Sequence, residues 1–97
     1  MNPVPFLPAA REEFFAAAKH YEAVAPGLGH DFIKAVEKAV ARLAAFPEHG
    51  SPYLLGTRRI VLRRFPLSVV YIVEAEVILV VAVAHHGRKP GYWRPRV

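Results

Sequence analysis

Residues 58–84, RRIVLRRFPLSVVYIVEAEVILVVAVA, decide the fold class of this chain. The stretch is rich in Val, Ile, Leu and Tyr, which favour strands. We predict strands at 58–63, 68–73 and 77–84, joined by RFPL and by the tight EAE into an antiparallel meander. The last strand is apolar at every position, which predicts a central strand buried on both faces.

The chain before this stretch has the periodicity of two amphipathic helices. From residue 9 onward the first helix is predicted by apolar residues on one face, Phe14, Ala17, Ala18, Tyr21, Val24 and Ala25. APGLGH at 25–30 ends it, because Pro26 and the two glycines favour a turn. The second helix is predicted by Phe32, Val36, Ala39, Leu43 and Phe46. Two such faces joined by a short turn predict an antiparallel hairpin.

The N-terminal run VPFL, at 4–7, lies among prolines and suits an edge strand that can spare a backbone donor. The predicted order is β-α-α-β-β-β, an α+β fold in which the helical hairpin packs on an antiparallel sheet. A chain of 97 residues predicts one domain over 1–97. We expect the helices to cover one face of the sheet and the other face to be the working surface.

The positive charge is concentrated at the C-terminal end. Residues 1–57 hold five Lys or Arg against six Asp or Glu, whereas 58–97 hold eight against two. Residues 85–97, HHGRKPGYWRPRV, form a basic aromatic segment that we call the C-terminal segment. Such asymmetry indicates a polyanionic or acidic partner, and surface charge that serves solubility is the alternative.

Several classes of protein are not supported by the sequence. The longest apolar run, 77–84, is too short to span a bilayer. No secretory signal is evident and there is no cysteine, so we expect a cytoplasmic protein. The phosphate-binding and nucleophile motifs GxxxxGK, GxGxxG and GxSxG are missing, and we expect no cofactor.

Two adjacent histidines, His85 and His86, raise the question of a metal site. If the strand continues through them, they point to opposite faces and cannot bind one ion together, so we expect none. A metal-free ribonuclease is an open alternative, because it needs only a base, an acid and cations for the phosphate. His86, Tyr92 and Arg59 are the catalytic candidates. In the competing interpretation, Tyr92 and Trp93 anchor the C-terminal segment onto the core.

Three stretches together resemble the toxins of the RelE/ParE superfamily of type II toxin-antitoxin (plasmid stabilisation) pairs. They are AAREEFFAAAKHYEAVAPGLGHDFIKAVEKAVARLAAFPEHG, RRIVLRRFPLSVVYIV and VAVAHHGRKPGYWRPR. The resemblance implies the fold reached above and a cognate antitoxin as partner. It implies one of two targets, DNA gyrase for ParE-like toxins or ribosome-bound mRNA for RelE-like nucleases.

Single positions favour the ParE side of this resemblance. Arg59 and Tyr92 match residues of the RelE nucleases, but Val61 and Ser68 stand where those nucleases have basic residues. His86 stands at the place of a further arginine. The resemblance therefore favours a growth-inhibiting toxin that binds a target such as DNA gyrase over an enzyme. A ribosome-dependent mRNA endonuclease and an inactive family member serving as a binding module are the alternatives.

The residues expected to bind the target are mostly cations of the second half of the chain. They are Arg63, Arg64, Arg88, Lys89, Trp93, Arg94 and Arg96. We also expect the antitoxin to pair with an edge left free by the first strand.

Overall fold

A helical hairpin and a four-stranded antiparallel sheet make up the computed structural model, which describes residues 4–75 and 77–97. The helices are α1 (Pro8–Val24) and α2 (Leu28–Ala45). The strands are β1 (Ser51–Pro52), β2 (Arg58–Val61), β3 (Leu67–Glu74) and β4 (Val77–His85), hydrogen-bonded in that order. The predicted α+β fold is confirmed. Of the predicted EAE connection, Glu76 lies outside the described residues.

The turn between the helices explains the sequence GLG. Gly27 has a φ of 84°, a left-handed conformation that favours glycine. The Glu22 carboxylate of α1 accepts backbone N–H bonds from Gly27 and Gly29 and so caps the start of α2. A Cβ at Gly29 would lie 2.5 Å from the Ala18 carbonyl oxygen, so the two helices need glycine there.

The main core lies between the hairpin and the sheet. α2 buries Phe32, Val36 and Leu43, as its periodicity predicts. The predicted burial is wrong for two members of the apolar faces, because Val24 is 63% exposed and Phe46 is 66% exposed. Both stand at helix ends, where the chain turns away from the sheet.

β4 is buried on both faces, as predicted, but it is the last strand in the hydrogen-bonded order, and β3 lies between β2 and β4. A register shift opposite Val70 and Tyr71 leaves Val81 as an extra residue in β4. Val80 and Val83 therefore pack toward the helices, while Val81 packs on the opposite face. The prediction of a central strand is corrected accordingly.

The predicted N-terminal strand is reduced to one parallel bridge between Phe6 and Val80. Val80 N–H donates to the Pro5 carbonyl and Leu7 N–H donates to the Val80 carbonyl, both at 2.9 Å. α1 begins at Pro8, immediately after this bridge. The segment is too short to offer the strand edge that we expected an antitoxin to use.

The sheet face opposite the helices is covered in part by the C-terminal segment. Trp93 is 1% exposed and packs in a second cluster with Val70, Val81 and Ala82. Its ring lies 6.0 Å from that of Tyr53. The expected working face therefore consists of the C-terminal segment itself and of the sheet surface around it.

Candidate functional site

A small cavity of about 120 Å³ lies between the sheet and the C-terminal segment, and we call it the His86 pocket. Its polar lining residues are Tyr53, Arg59, Ser68, His86, Arg88, Lys89 and Tyr92. β2 contributes Arg59, whose guanidinium carbon lies 4.3 Å from the centre of the Tyr53 ring. The structure thus brings the three catalytic candidates to one pocket and adds two further cations.

His86 is held by a buried hydroxyl. The His86 Nε2 and Ser68 Oγ atoms are 2.7 Å apart, and Ser68 is 2% exposed on β3. Burial, with smaller contributions from Arg59 and His85, lowers the pKa of His86 below the ordinary value of 6.5. His86 is therefore neutral at pH 7, which suits a base or a hydrogen-bond partner.

The two adjacent histidines do not act together. His86 lines the His86 pocket, whereas His85 lines a separate cavity of about 310 Å³ beside Glu13 and His20. The His85 Nδ1 atom accepts a hydrogen bond from the Gly87 N–H at 2.8 Å. In residues 4–75 and 77–97, no three His, Asp or Glu side chains are grouped as a metal ion would need.

The Tyr92 hydroxyl donates a hydrogen bond to a carboxylate of α1 and not to a group in the His86 pocket. The acceptor is Glu13 Oε2. Burial raises the pKa of Tyr92 most, and the hydrogen bond and charge of Glu13 raise it further. Tyr92 therefore stays protonated at any physiological pH and is poorly suited to act as a base.

Glu13 is the centre of this arrangement, which we call the Glu13 cluster (Glu13, Val83 N–H, Arg88, Tyr92 and Arg96). The Arg96 guanidinium donates to both carboxylate oxygens, at 2.8 and 3.1 Å. Val83 N–H donates to Oε1 at 3.1 Å, and Arg88 Nη1 lies 3.7 Å from Oε2. Arg96 also donates to the Val81 carbonyl at 3.1 Å. The cluster ties α1, β4 and the C-terminal segment together.

The seven residues expected to bind a target fall into three groups. Arg88, Lys89 and Arg94 are exposed on the C-terminal segment. Two others are not presented to a target: Trp93 is buried, and Arg96 is held by Glu13 with 21% of its side chain exposed. The expectation for Trp93 and Arg96 is corrected, because their side chains are used in packing and in the ion pair.

Arg63 and Arg64 lie away from the C-terminal segment, in the turn between β2 and β3. They line a groove of about 580 Å³ along α2 and β2, which we call the β2 groove. Five cationic side chains line it: Lys38, Arg42, Arg59, Arg63 and Arg64. No acidic residue of the described ranges lines it, although Asp31 pairs with Arg64 at 3.2 Å nearby.

The β2 groove runs beside an unpaired part of the sheet. On its outer side β2 pairs with β1 only at Arg58 and Arg59. Ile60 and Val61 therefore lie at the outer edge of the sheet, and Val61 is 51% exposed. An edge of this kind can accept an extended segment from another chain.

Sequence reasoning missed Glu13. It lies in the second turn of α1, three residues after the buried Ala10 and four before the half-buried Ala17. An acidic residue on the packed face of a helix requires a cationic or hydrogen-bonding partner. The cations of the C-terminal segment were the candidates for that partner. Lys38 and Arg42 were missed because they lie on the polar face of α2.

Comparisons with known proteins agree with this architecture. The family model for the ParE toxin of the type II toxin-antitoxin system parDE matches residues 4–90. A chain from the structure of the chromosomal ParDE toxin-antitoxin system of P. aeruginosa is similar, with a TM-score of 0.76 and 19% identity over 88% of this chain and 96% of that chain. No curated protein matches the sequence. At this identity the structural likeness supports the fold alone.

Proposed function

This chain belongs to the ParE toxin family of type II toxin-antitoxin systems, and from that premise we propose that it inhibits growth by binding DNA gyrase in the cytoplasm. We further propose that a cognate antitoxin neutralises it. The observation that favours target binding over RNA cleavage is the hydrogen bond from the Tyr92 hydroxyl to Glu13.

That hydrogen bond leaves the His86 pocket without one of the groups that a nuclease needs. Cleavage without a metal requires a base, an acid and cations around the phosphate. The hydroxyl of Tyr92 is committed to Glu13, and the raised pKa of Tyr92 prevents it from acting as a base. Val61 and Ser68 supply no charge at their positions. The pocket is thus better suited to holding the C-terminal segment than to cleaving RNA.

The surface that we assign to gyrase is the exposed part of the C-terminal segment. Arg88, Lys89 and Arg94 present three positive charges there. They are displayed on a segment fixed by the buried Trp93 ring. Cations arranged on a fixed surface give an acidic partner both attraction and a defined orientation.

The surface that we assign to the antitoxin is the β2 groove with the outer edge of β2. An extended acidic segment can hydrogen-bond to the backbone of Ile60 and Val61 while its carboxylates face the cations of the groove. We therefore expect the antitoxin to carry an acidic tail. Charge reversal at Lys38 and Arg42 should weaken antitoxin binding but not gyrase inhibition.

The experiment is a parallel assay of the purified chain on two targets. Supercoiling by gyrase is measured with increasing toxin, and mRNA cleavage is measured on translating ribosomes. We expect inhibition of gyrase, relieved by the cognate antitoxin, and intact mRNA. Cleaved mRNA with unaffected gyrase would overturn the proposal. Activity in neither assay, with antitoxin binding retained, would favour an inactive binding module instead.

One observation favours mRNA cleavage as the second candidate. His86 has a lowered pKa and lies in a pocket with Arg59, Arg88 and Lys89. A neutral imidazole beside cations could take the proton of an RNA 2′-hydroxyl. In that case His86→Gln should abolish cleavage in the ribosome assay, while binding to the antitoxin is retained.

A further inference from the structure

We propose that Glu13 positions the C-terminal segment and thereby sets the surface with which this toxin inhibits growth. The inference rests on the proposed function for the role of that surface, but not for the effect of Glu13 on the segment. Glu13 itself lies on α1, with 16% of its side chain exposed, so it acts through the residues that it holds.

The backbone of the C-terminal segment is not tied to the sheet beyond its first residues. His86 N–H donates to the Pro66 carbonyl. From residue 88 onward, every backbone hydrogen bond of the described segment is local, as in those from Tyr92 to Lys89 and from Arg96 to Trp93. A chain of turns that ends in a short 3₁₀ helix, Arg94–Arg96, has no ladder to fix its orientation.

Beyond His86, whose ring is hydrogen-bonded to Ser68, two kinds of contact hold the segment. The Trp93 ring supplies buried apolar area, which is strong but nondirectional. Direction comes from the polar contacts of the Glu13 cluster. The Arg96 guanidinium donates both to Glu13 and to the Val81 carbonyl, and the Tyr92 hydroxyl donates to the same carboxylate. One carboxylate therefore fixes the segment at two side chains four positions apart.

The Glu13 cluster also includes an exposed cation, Arg88. The Arg88 guanidinium carbon lies 3.7 Å from the centre of the Tyr92 ring, and Arg88 Nη1 lies 3.7 Å from Glu13 Oε2. Removing the carboxylate takes away the partner that holds Tyr92 and attracts Arg88. The position of a target-facing charge should therefore depend on a residue of α1.

The test compares Glu13→Gln and Glu13→Ala with a matched control, Glu12→Gln. Glu12 is the exposed neighbour on the same helix, and no ion pair of it occurs in the described ranges. Glu13→Gln keeps the size of the side chain and an acceptor for Val83 N–H, so it guards against a failure of Glu13→Ala to fold.

The first measurement is amide hydrogen exchange at Tyr92, Arg94 and Arg96, with β3 as the internal reference. Loss of charge-assisted hydrogen bonds should lower protection in the segment by about ten- to a hundredfold and leave β3 unchanged. Fluorescence provides a second signal, because Trp93 is the single tryptophan of the chain. We expect easier quenching of Trp93 in both Glu13 variants, and no change in Glu12→Gln.

The second measurement is growth inhibition, with antitoxin binding as the control. We expect Glu13→Gln to inhibit growth at least about tenfold less than wild type, while its affinity for the antitoxin is retained. Unchanged protection of the segment in both Glu13 variants would overturn the inference, as would full toxicity of a variant with a loosened segment. If wild type inhibits growth without affecting gyrase, the proposed target is wrong, and these readouts still decide the role of Glu13.

Discussion

Replacing Trp93 by alanine tests whether the C-terminal segment is part of the core. The side chain is 1% exposed and packs on Val70, Val81 and Ala82. Truncation of a fully buried tryptophan costs about 3–5 kcal/mol, from lost apolar contact and from the cavity left behind. That is a large share of the roughly 5–15 kcal/mol that stabilises a typical domain. At about 5 °C per kcal/mol for a domain of this size, the melting temperature should fall by about 15–25 °C.

The assay is thermal unfolding followed by far-ultraviolet circular dichroism, whose signal is dominated by the two helices. Trp93→Phe is the matched control, because it keeps an aromatic ring at the site and should lose less than half as much stability. A fall of less than about 5 °C for Trp93→Ala would refute the reasoning. It would show that the segment docks on a core that is already complete.

The remaining predictions concern charge, close packing and pH. Removal of the exposed cations Arg88, Lys89 and Arg94 should weaken gyrase inhibition. It should move the melting temperature by less than about 3 °C. Arg96→Ala should instead destabilise the chain by about 1.5–3 kcal/mol in urea unfolding, because it leaves Glu13 without its main donor. Gly29→Ala should cost about 1–3 kcal/mol in the same assay, since its Cβ would meet the Ala18 carbonyl. The raised pKa of Tyr92 predicts a loss of stability as the pH rises above about 10, where the unfolded chain loses the proton that the folded chain keeps. Urea midpoints between about pH 9 and 11 should therefore fall less in Tyr92→Phe than in wild type.

The helices and the meander could be predicted because their signals are local. Phe32, Val36 and Leu43 repeat with the period of a helix and are buried on α2. The strands could be recognised by composition, but their order could not. The apolar sequence of β4 predicts a central strand, but β4 is the last strand in the hydrogen-bonded order. One of its faces is covered by the C-terminal segment through the buried ring of Trp93. A single buried ring has no periodicity that would reveal this contact in the sequence.

The candidate site was predicted in part. Arg59, His86 and Tyr92 line one pocket, and their catalytic roles stay predictions. The direction of the Tyr92 hydroxyl could not be predicted, because it depends on Glu13, which lies 79 positions earlier in the chain. A contact between residues so far apart has no local signature. The same holds for Arg96, which looks like a solvated cation in the sequence but is held in an ion pair.

The most direct test of the account is the toxicity of Tyr92→Phe, measured beside its melting curve. The substitution removes one hydroxyl and keeps the ring under Arg88 and the pairing of Glu13 with Arg96. Our account gives the hydroxyl no catalytic role, and after its loss Arg96 still holds the segment to Glu13. The variant should therefore keep most of its growth inhibition. Loss of one hydrogen bond should cost only about 0.5–1.5 kcal/mol of stability. A variant that is stable but has lost growth inhibition by a hundredfold or more, the scale of general acid-base catalysis, would contradict the account and favour the nuclease.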